Sequence, residues 1–254
     1  MIDIQTIPLR ERKHAQTKIA LAREFMERLK TKRLAEISVK EVCETIPISE
    51  VTFYNYFPEK TDIFIYLMQL WHTEILWKLA QWEKDKSNIE IIEAWFDFAC
   101  LEITSYAGAL NEVLSFVVQQ QEITFSPMSV AEKILAFPDC DGIELFDVRG
   151  IHSKNDSMLK PYLEKAIKSG ELPPQTDLEE VDRMLDTIFL GGMMTLYCNS
   201  EGVLRSTYQK MLRFLWQGLR AEHDALTQKK NRSSFSQGDC HVKSGQCNLN
   251  TYVM

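Results

Sequence analysis

The chain has 254 residues, 45% of them hydrophobic and 26% charged, with a formal net charge of −7. These values suit a soluble globular protein that buries a sizeable core in one large or two smaller domains. They exclude a generally basic nucleic-acid coat, and no apolar run reaches the roughly 18 residues of a membrane span. The start, MIDIQTIPLRERKH, has no signal-peptide core. The expectation is a cytoplasmic protein without a membrane partner.

The charge is uneven. Residues 1–60 carry a balance of +2 and the remainder −9, which suits a protein that touches phosphates with one end only. The six cysteines are widely spaced and read as reduced thiols rather than a disulfide framework. Cys240, His241 and Cys247 offer soft metal ligands, but their spacing matches no strong zinc pattern, and the tail reading is preferred. No carboxylate pair, Ser/His/Asp set, Cys/His dyad or glycine-rich phosphate loop marks an enzyme, and no cofactor is implied.

In chain order, residues 1–13 read as a loose arm in which Arg10, Arg12 and Lys13 could meet a phosphate or simply start a solvated helix. A helix from about Glu11 to Leu29 follows, with Ile19, Ala22, Phe25, Met26 and Leu29 on one stripe. Ser38 caps a short helix with Val39, Val42 and Cys43 inward. Pro47 cannot continue it, since it lacks an N–H and clashes with the preceding turn, so the helix ends near Thr45. Ser49 then caps a second helix with Phe53 and Phe57 facing a small core. Two helices across a tight turn form the unit that sets its second helix in a DNA major groove.

The stretch VKEVCETIPISEVTFYNYFPEKTDIF resembles the helix-turn-helix signature of the TetR family of bacterial transcriptional regulators, with TFYNYFPEKTDIF the most specific part. The resemblance covers roughly residues 19 to 66. Pro47 and Val51 depart from it, standing where the family commonly has glycine, so operator sequence is not transferable. By resemblance, Tyr54 and Lys60 grip the DNA backbone. From their chemistry alone, Thr52, Tyr54 and Tyr56 carry hydroxyls suited to phosphate oxygens. Ser49, Glu50, Val51, Thr52 and Asn55 are candidates for reading base edges. Ser38, at the start of the preceding helix, completes the candidate DNA-binding set.

From Asp62 the pattern is long and helical. EKDKSN, residues 83–88, is a polar connector before a helix from Ile89 to Cys100, and helix is expected to continue over residues 101–125 with a bend around Ser105 to Gly108. A short helix is expected within Ser126–Phe137. Pro138, Gly142 and Gly150 make Phe137–Ser157 irregular: a lid, a packed loop or a short distorted helix. Helix returns over Met158–Lys168. Asp177 and Glu180 then open a helix through Cys198, in which Gly191 and Gly192 permit close helix approach. After Asn199–Gly202, a last helix runs from Val203 to about Glu222. The final two helices form either intrachain core or a four-helix interface with a second copy; the dimer is preferred, because two-fold operator recognition needs two heads.

The fold class expected is all-α, with an N-terminal three-helix helix-turn-helix domain over residues 1–61. A larger helical ligand-binding and dimerisation domain spans 62–226, and a disordered tail spans 227–254. Trp95, Phe96, Phe116, Phe125 and Met128 are candidates to line an apolar pocket in the larger domain. The resemblance implies a small-molecule inducer there, here an apolar or amphipathic effector of unknown identity. The function expected is a ligand-responsive, sequence-specific repressor that binds double-stranded operator DNA at a palindrome as a homodimer. The alternative is a helical interaction or sequestering module without sequence-specific DNA binding.

Overall fold

The computed structural model describes residues 2–119, 122–148, 150–153, 157–195 and 201–238. Three helices make the N-terminal head: α1 (Leu9–Leu29), α2 (Val39–Thr45) and α3 (Glu50–Tyr56). The residues that start and stop them are local. The Ser38 and Ser49 hydroxyls accept hydrogen bonds from the Glu41 and Thr52 amides at 3.4 and 3.1 Å, satisfying donors that a helix N-terminus leaves unpaired. Pro47 lies in the turn between α2 and α3, and the Ile48 amide closes that turn on the Cys43 carbonyl at 3.0 Å. Phe25, Val42, Phe53 and Phe57 fill the interior, and this core continues into Ile63 and Phe64 at the start of the next helix. Each buried phenylalanine contributes about 1.5–3 kcal/mol of transfer free energy.

The long helix α4 (Asp62–Trp82) leads from the head into the body, followed by α5 (Asn88–Ser105) and α6 (Ala107–Gln119). The bend between α5 and α6 falls where the sequence placed it. There Gly108 lies against the Lys30 carbonyl at the end of α1, so close that an added Cβ would lie well inside van der Waals contact with backbone atoms. Further along come α7 (Val130–Ala136), α8 (Lys160–Lys168), α9 (Leu178–Thr195) and α10 (Glu201–Gly238). Ile75, Ile92, Phe96, Leu163 and Tyr208 are among the side chains that close the body core. The Glu171 carboxylate, in the loop after α8, accepts from the Asn88 and Ile89 amides at 3.3 and 3.0 Å and so caps α5. Burial opposes its ionisation, but these backbone bonds and those from Asn88 and Ser169 side chains outweigh it and hold the carboxyl below its ordinary value. No helix among the described residues is long and apolar enough to cross a membrane.

Three expectations need correction. The helix expected through residue 125 gives way to a strand, β1 (Glu122–Phe125), paired antiparallel with β2 (Gly150–Ser153) in the register Glu122↔Ser153 and Phe125↔Gly150. Ile123 and Phe125 are buried at alternate positions, the period of a strand. Among the described residues the regular structure is therefore helical apart from one two-stranded ribbon. Next, the N-terminal arm is not loose: Ile7 is buried against Ala15 and Ala131, and Arg12 Nη1 donates to Gln5 Oε1 at 2.7 Å. Last, residues 227–238 continue α10 rather than beginning a disordered tail. Extending an existing helix avoids the cost of nucleating one, so polar residues can follow without an apolar stripe. Cys198, Cys240, His241 and Cys247 lie outside the described residues.

α9 and α10 are antiparallel and pack together at Gly192, where the Tyr208 ring occupies the space of a Cβ. The Tyr208 hydroxyl donates to the Phe189 carbonyl at 2.8 Å. Gly192→Ala should therefore destabilise the protein by about 1–3 kcal/mol in urea unfolding. Gly202→Ala, at a site where an added Cβ has no neighbour within 4 Å, should leave the midpoint within about 0.5 kcal/mol.

Candidate nucleic-acid interface

The head sorts its third helix into two faces. Phe53 and Phe57 point inward, with Phe53 stacked on Phe25 at 5.7 Å between ring centroids and Phe57 tilted against Tyr66 at the same separation. Ser49, Glu50, Val51, Tyr54 and Asn55 are all exposed. Val51, at 73%, and Tyr54, at 47%, are large side chains left in solvent by a helix otherwise anchored through its aromatics. Tyr54 is held edge-on against Phe53 at 5.1 Å, which fixes the direction of its hydroxyl.

The remaining candidates have internal duties as well. Thr52 is half-buried, its hydroxyl 2.8 Å from that of Ser49. Ser38 is half-buried and caps α2. Tyr56 is half-buried, its ring 4.6 Å from that of His14 on α1. Lys60 Nζ donates to the Ile37 carbonyl at 2.7 Å, and burial lowers its pKa from the ordinary lysine value. An ammonium has three donors, so two remain for an oxygen outside the head.

The aromatic candidates of the body are not brought together. Trp95 and Phe96 lie in the main body core, where Trp95 meets Phe189 at 4.9 Å and Phe96 meets Tyr208 at 5.1 Å. Phe116 packs on Phe64, next to the head. Phe125, from β1, packs on His72 at 5.4 Å. Met128 takes a weak hydrogen bond at its sulfur from the Thr73 hydroxyl at 3.7 Å. A cavity of about 470 Å³ between α5 and α10, with Phe96, Glu93, Leu212 and Trp216 in its wall, involves only one of the five.

Sequence reasoning missed the polar contacts that join head to body. Lys18 on α1 donates to Glu132 on α7 at 2.8 Å, with side-chain exposures of 21% and 6%. The same ammonium lies 4.1 Å from the centroid of the buried Tyr66 ring on α4. Glu132 also takes the Ser129 amide at 2.9 Å, completing a capping box. Gln69, buried in mid α4, donates to the carbonyls of Ser126 and Val148. One signal was available: Lys18 sits beside the inward stripe of Ala15, Ile19 and Ala22, a poor place for an unpaired charge.

Burial pushes the Glu132 carboxyl up, but the Lys18 charge and the hydrogen bonds from Lys18 and Ser129 outweigh it and hold the group below its ordinary value. Tyr66 is pushed well up by burial, then by the neighbouring Glu132 charge. A carboxyl whose pKa falls on folding adds stability that is full above its unfolded value of about 4.3 and is lost as pH drops through the folded value. Lys18→Met should cost about 3 kcal/mol at pH 7, since it leaves a buried carboxylate unpaired. In denaturant titrations that deficit should shrink as the pH falls below about 4; a deficit that does not change with pH would contradict the pairing.

No family model matches the chain, and no curated protein sequence matches it. Solved structures do. Thermus thermophilus FadR, a TetR-family transcriptional repressor in complex with lauroyl-CoA, superposes with a TM-score of 0.53 at 18% identity, covering 80% of this chain and 94% of that one. A second structure, described as the molecular basis for control of antibiotic production by bacterial hormones, gives 0.55 at 16% identity over 80% of this chain and 97% of that one. The chain has the fold of the TetR-family transcriptional regulators.

Proposed function

We propose that the protein is a TetR-family transcriptional regulator, a homodimeric repressor that binds a palindromic operator and releases it on binding a small effector. The observation that carries this reading is the division of α3: a buried aromatic face fixes the helix, and an exposed face offers Val51, Tyr54 and Asn55 with Ser49 and Glu50. Val51 suits a thymine methyl, Asn55 an adenine edge and Glu50 a cytosine amino group. Tyr54 and Lys60 suit phosphate oxygens, as do the hydroxyls of Ser38, Thr52 and Tyr56.

The dimer is supported by the outer face of the last two helices. Met184, Leu190 and Met194 of α9 and Val203, Met211 and Phe214 of α10 are exposed. On these helices Gly191 and Gly218 have open space at the Cβ position, which permits close approach of a partner helix. An apolar strip of this kind is the usual core of an obligate two-fold interface.

For the effector, Trp95 supports an apolar molecule carrying an acceptor. Its indole N–H is buried without a hydrogen-bond partner among the described residues, and its ring is surrounded by Trp71, Phe96 and Phe189. The FadR relative of this fold holds lauroyl-CoA, an amphipathic molecule, which agrees with that class. Release requires the effector to favour the arrangement of heads that fits DNA poorly.

Footprinting of genomic fragments, with and without cell extract, tests the reading: protected half-sites should repeat at about one helical turn, roughly 34–36 Å, or a multiple of it. Val51→Ala or Asn55→Ala should alter preference among sites by about 1–3 kcal/mol. Tyr54→Phe should instead weaken all sites alike, and equal effects from all three variants would reject the division of roles. Met211→Glu with Phe214→Glu should give a folded monomer in sedimentation experiments, because two carboxylates would have to be buried unpaired on association.

A further inference from the structure

The first turns of α1 carry Arg10, Lys13, His14 and Thr17, at the spacing that aligns side chains along one side of a helix. Ala15, Ile19 and Ala22 occupy the other side and are buried. Arg10, Lys13 and His14 are exposed. The His14 ring lies 4.6 Å from that of Tyr56, at the last turn of α3. The basic ridge on α1 therefore meets the end of α3 at Tyr56.

Most other cations of the head are already engaged. Lys18, Arg28, Lys30, Lys32 and Arg33 are in ion pairs with carboxylates, and Lys60 is bonded to the Ile37 carbonyl. Arg10 and Lys13 make no ion pair among the described residues. Arg23 and Lys40 are also exposed, but they lie off the ridge that meets Tyr56. The nearby carboxylate, Glu11, projects roughly 100° around the helix from Arg10. The ridge is also held in place: Ile7 is buried beside Ala131 and Arg12 is bonded to Gln5, so the first turn of α1 is ordered before any ligand arrives.

We infer that this ridge is a second DNA contact, in which Arg10 and Lys13 bind backbone phosphates beside the groove entered by α3. The inference rests on the DNA-binding reading above and extends it to an element outside the helix pair. Two uncompensated cations on an ordered helix complement the phosphate rows that border a major groove, and such contacts set register and affinity without reading sequence. The ridge accounts for how a chain with a net charge of −7 meets a polyanion: the charge that matters is confined to one edge of the head.

The test is the salt dependence of binding to a fluorescent mixed-sequence duplex of about 30 base pairs, since each phosphate contact contributes about 0.9 to the slope of log K against log salt. Wild type is compared with Arg10→Gln/Lys13→Gln and with Lys84→Gln/Lys86→Gln, which removes the same charge from the exposed connector after α4. The ridge variant should lose about 1.8 from the slope for each bound head, and the connector variant should match wild type. Both change exposed side chains only, and unchanged helicity and unfolding midpoints establish that the fold is intact. A ridge variant with the wild-type slope overturns the inference, as does an equal fall in both variants, which would be a bulk charge effect. If wild type itself shows no salt-sensitive duplex binding, the DNA-binding reading fails first and the ridge falls with it.

Discussion

The head is held to the body by a charge that cannot be left alone. Lys18 is mostly withdrawn from water on the inner side of α1, and Glu132 on α7 neutralises it while Tyr66 of α4 offers its ring face. A buried ion pair adds little net stability when compared with an apolar replacement, but it discriminates strongly against arrangements in which its members part. Three elements from three regions of the chain thus meet at one point, and apolar contacts around Ile7, Ala15 and Ala131 seal it. The orientation of α1, and hence of α3 packed against it through Phe25 and Phe53, depends on that junction.

The segment between α6 and α8 wraps the helix that joins head to body. Gln69 and Thr73 are buried polar residues in the middle of α4, bonded to Ser126, Val148 and Met128 of that segment, and Trp77 donates to the Asp141 carbonyl at 2.8 Å. Buried amides and hydroxyls are costly to strip of their partners. These bonds tie α4 to the segment around it, which includes α7 and its ion pair with α1. The aromatic cluster around Trp71 and Trp95 sits on the same helix and its neighbour α5, within reach of this mechanical unit.

What the sequence makes legible is what is encoded locally. Ser38, Pro47 and Ser49 set the limits of α2 and α3 through caps and a missing N–H, and Phe53 and Phe57 declare the inner face by spacing alone. The bend before Gly108 and the close approach at Gly192 follow from glycine in a helical pattern. The rest depends on partners far along the chain. Glu132 is 114 residues from Lys18, β1 needs β2 to be a strand at all, and nothing in an exposed-looking Lys60 announces the Ile37 carbonyl. The aromatic and methionine candidates of the body show the same limit, since hydrophobic content says that Trp95, Phe125 and Met128 are buried but not that they are buried apart. The extension of α10 past residue 226 was hidden because propagation of a helix leaves no apolar signature.

Gly108 gives the head and body a point of contact with no slack. Because the backbone of α6 already touches the Lys30 carbonyl at the end of α1, nothing compressible lies between them. α6 and the end of α1 have no room to close further at this point. The same junction is held together by Ala109, buried in the core of the head, by Phe116 against Phe64, and by the Lys30 ammonium, 5.5 Å from the Tyr106 ring centroid. The joint thus resists closing and opening alike, so α6 is coupled to the end of α1 whichever way it is displaced.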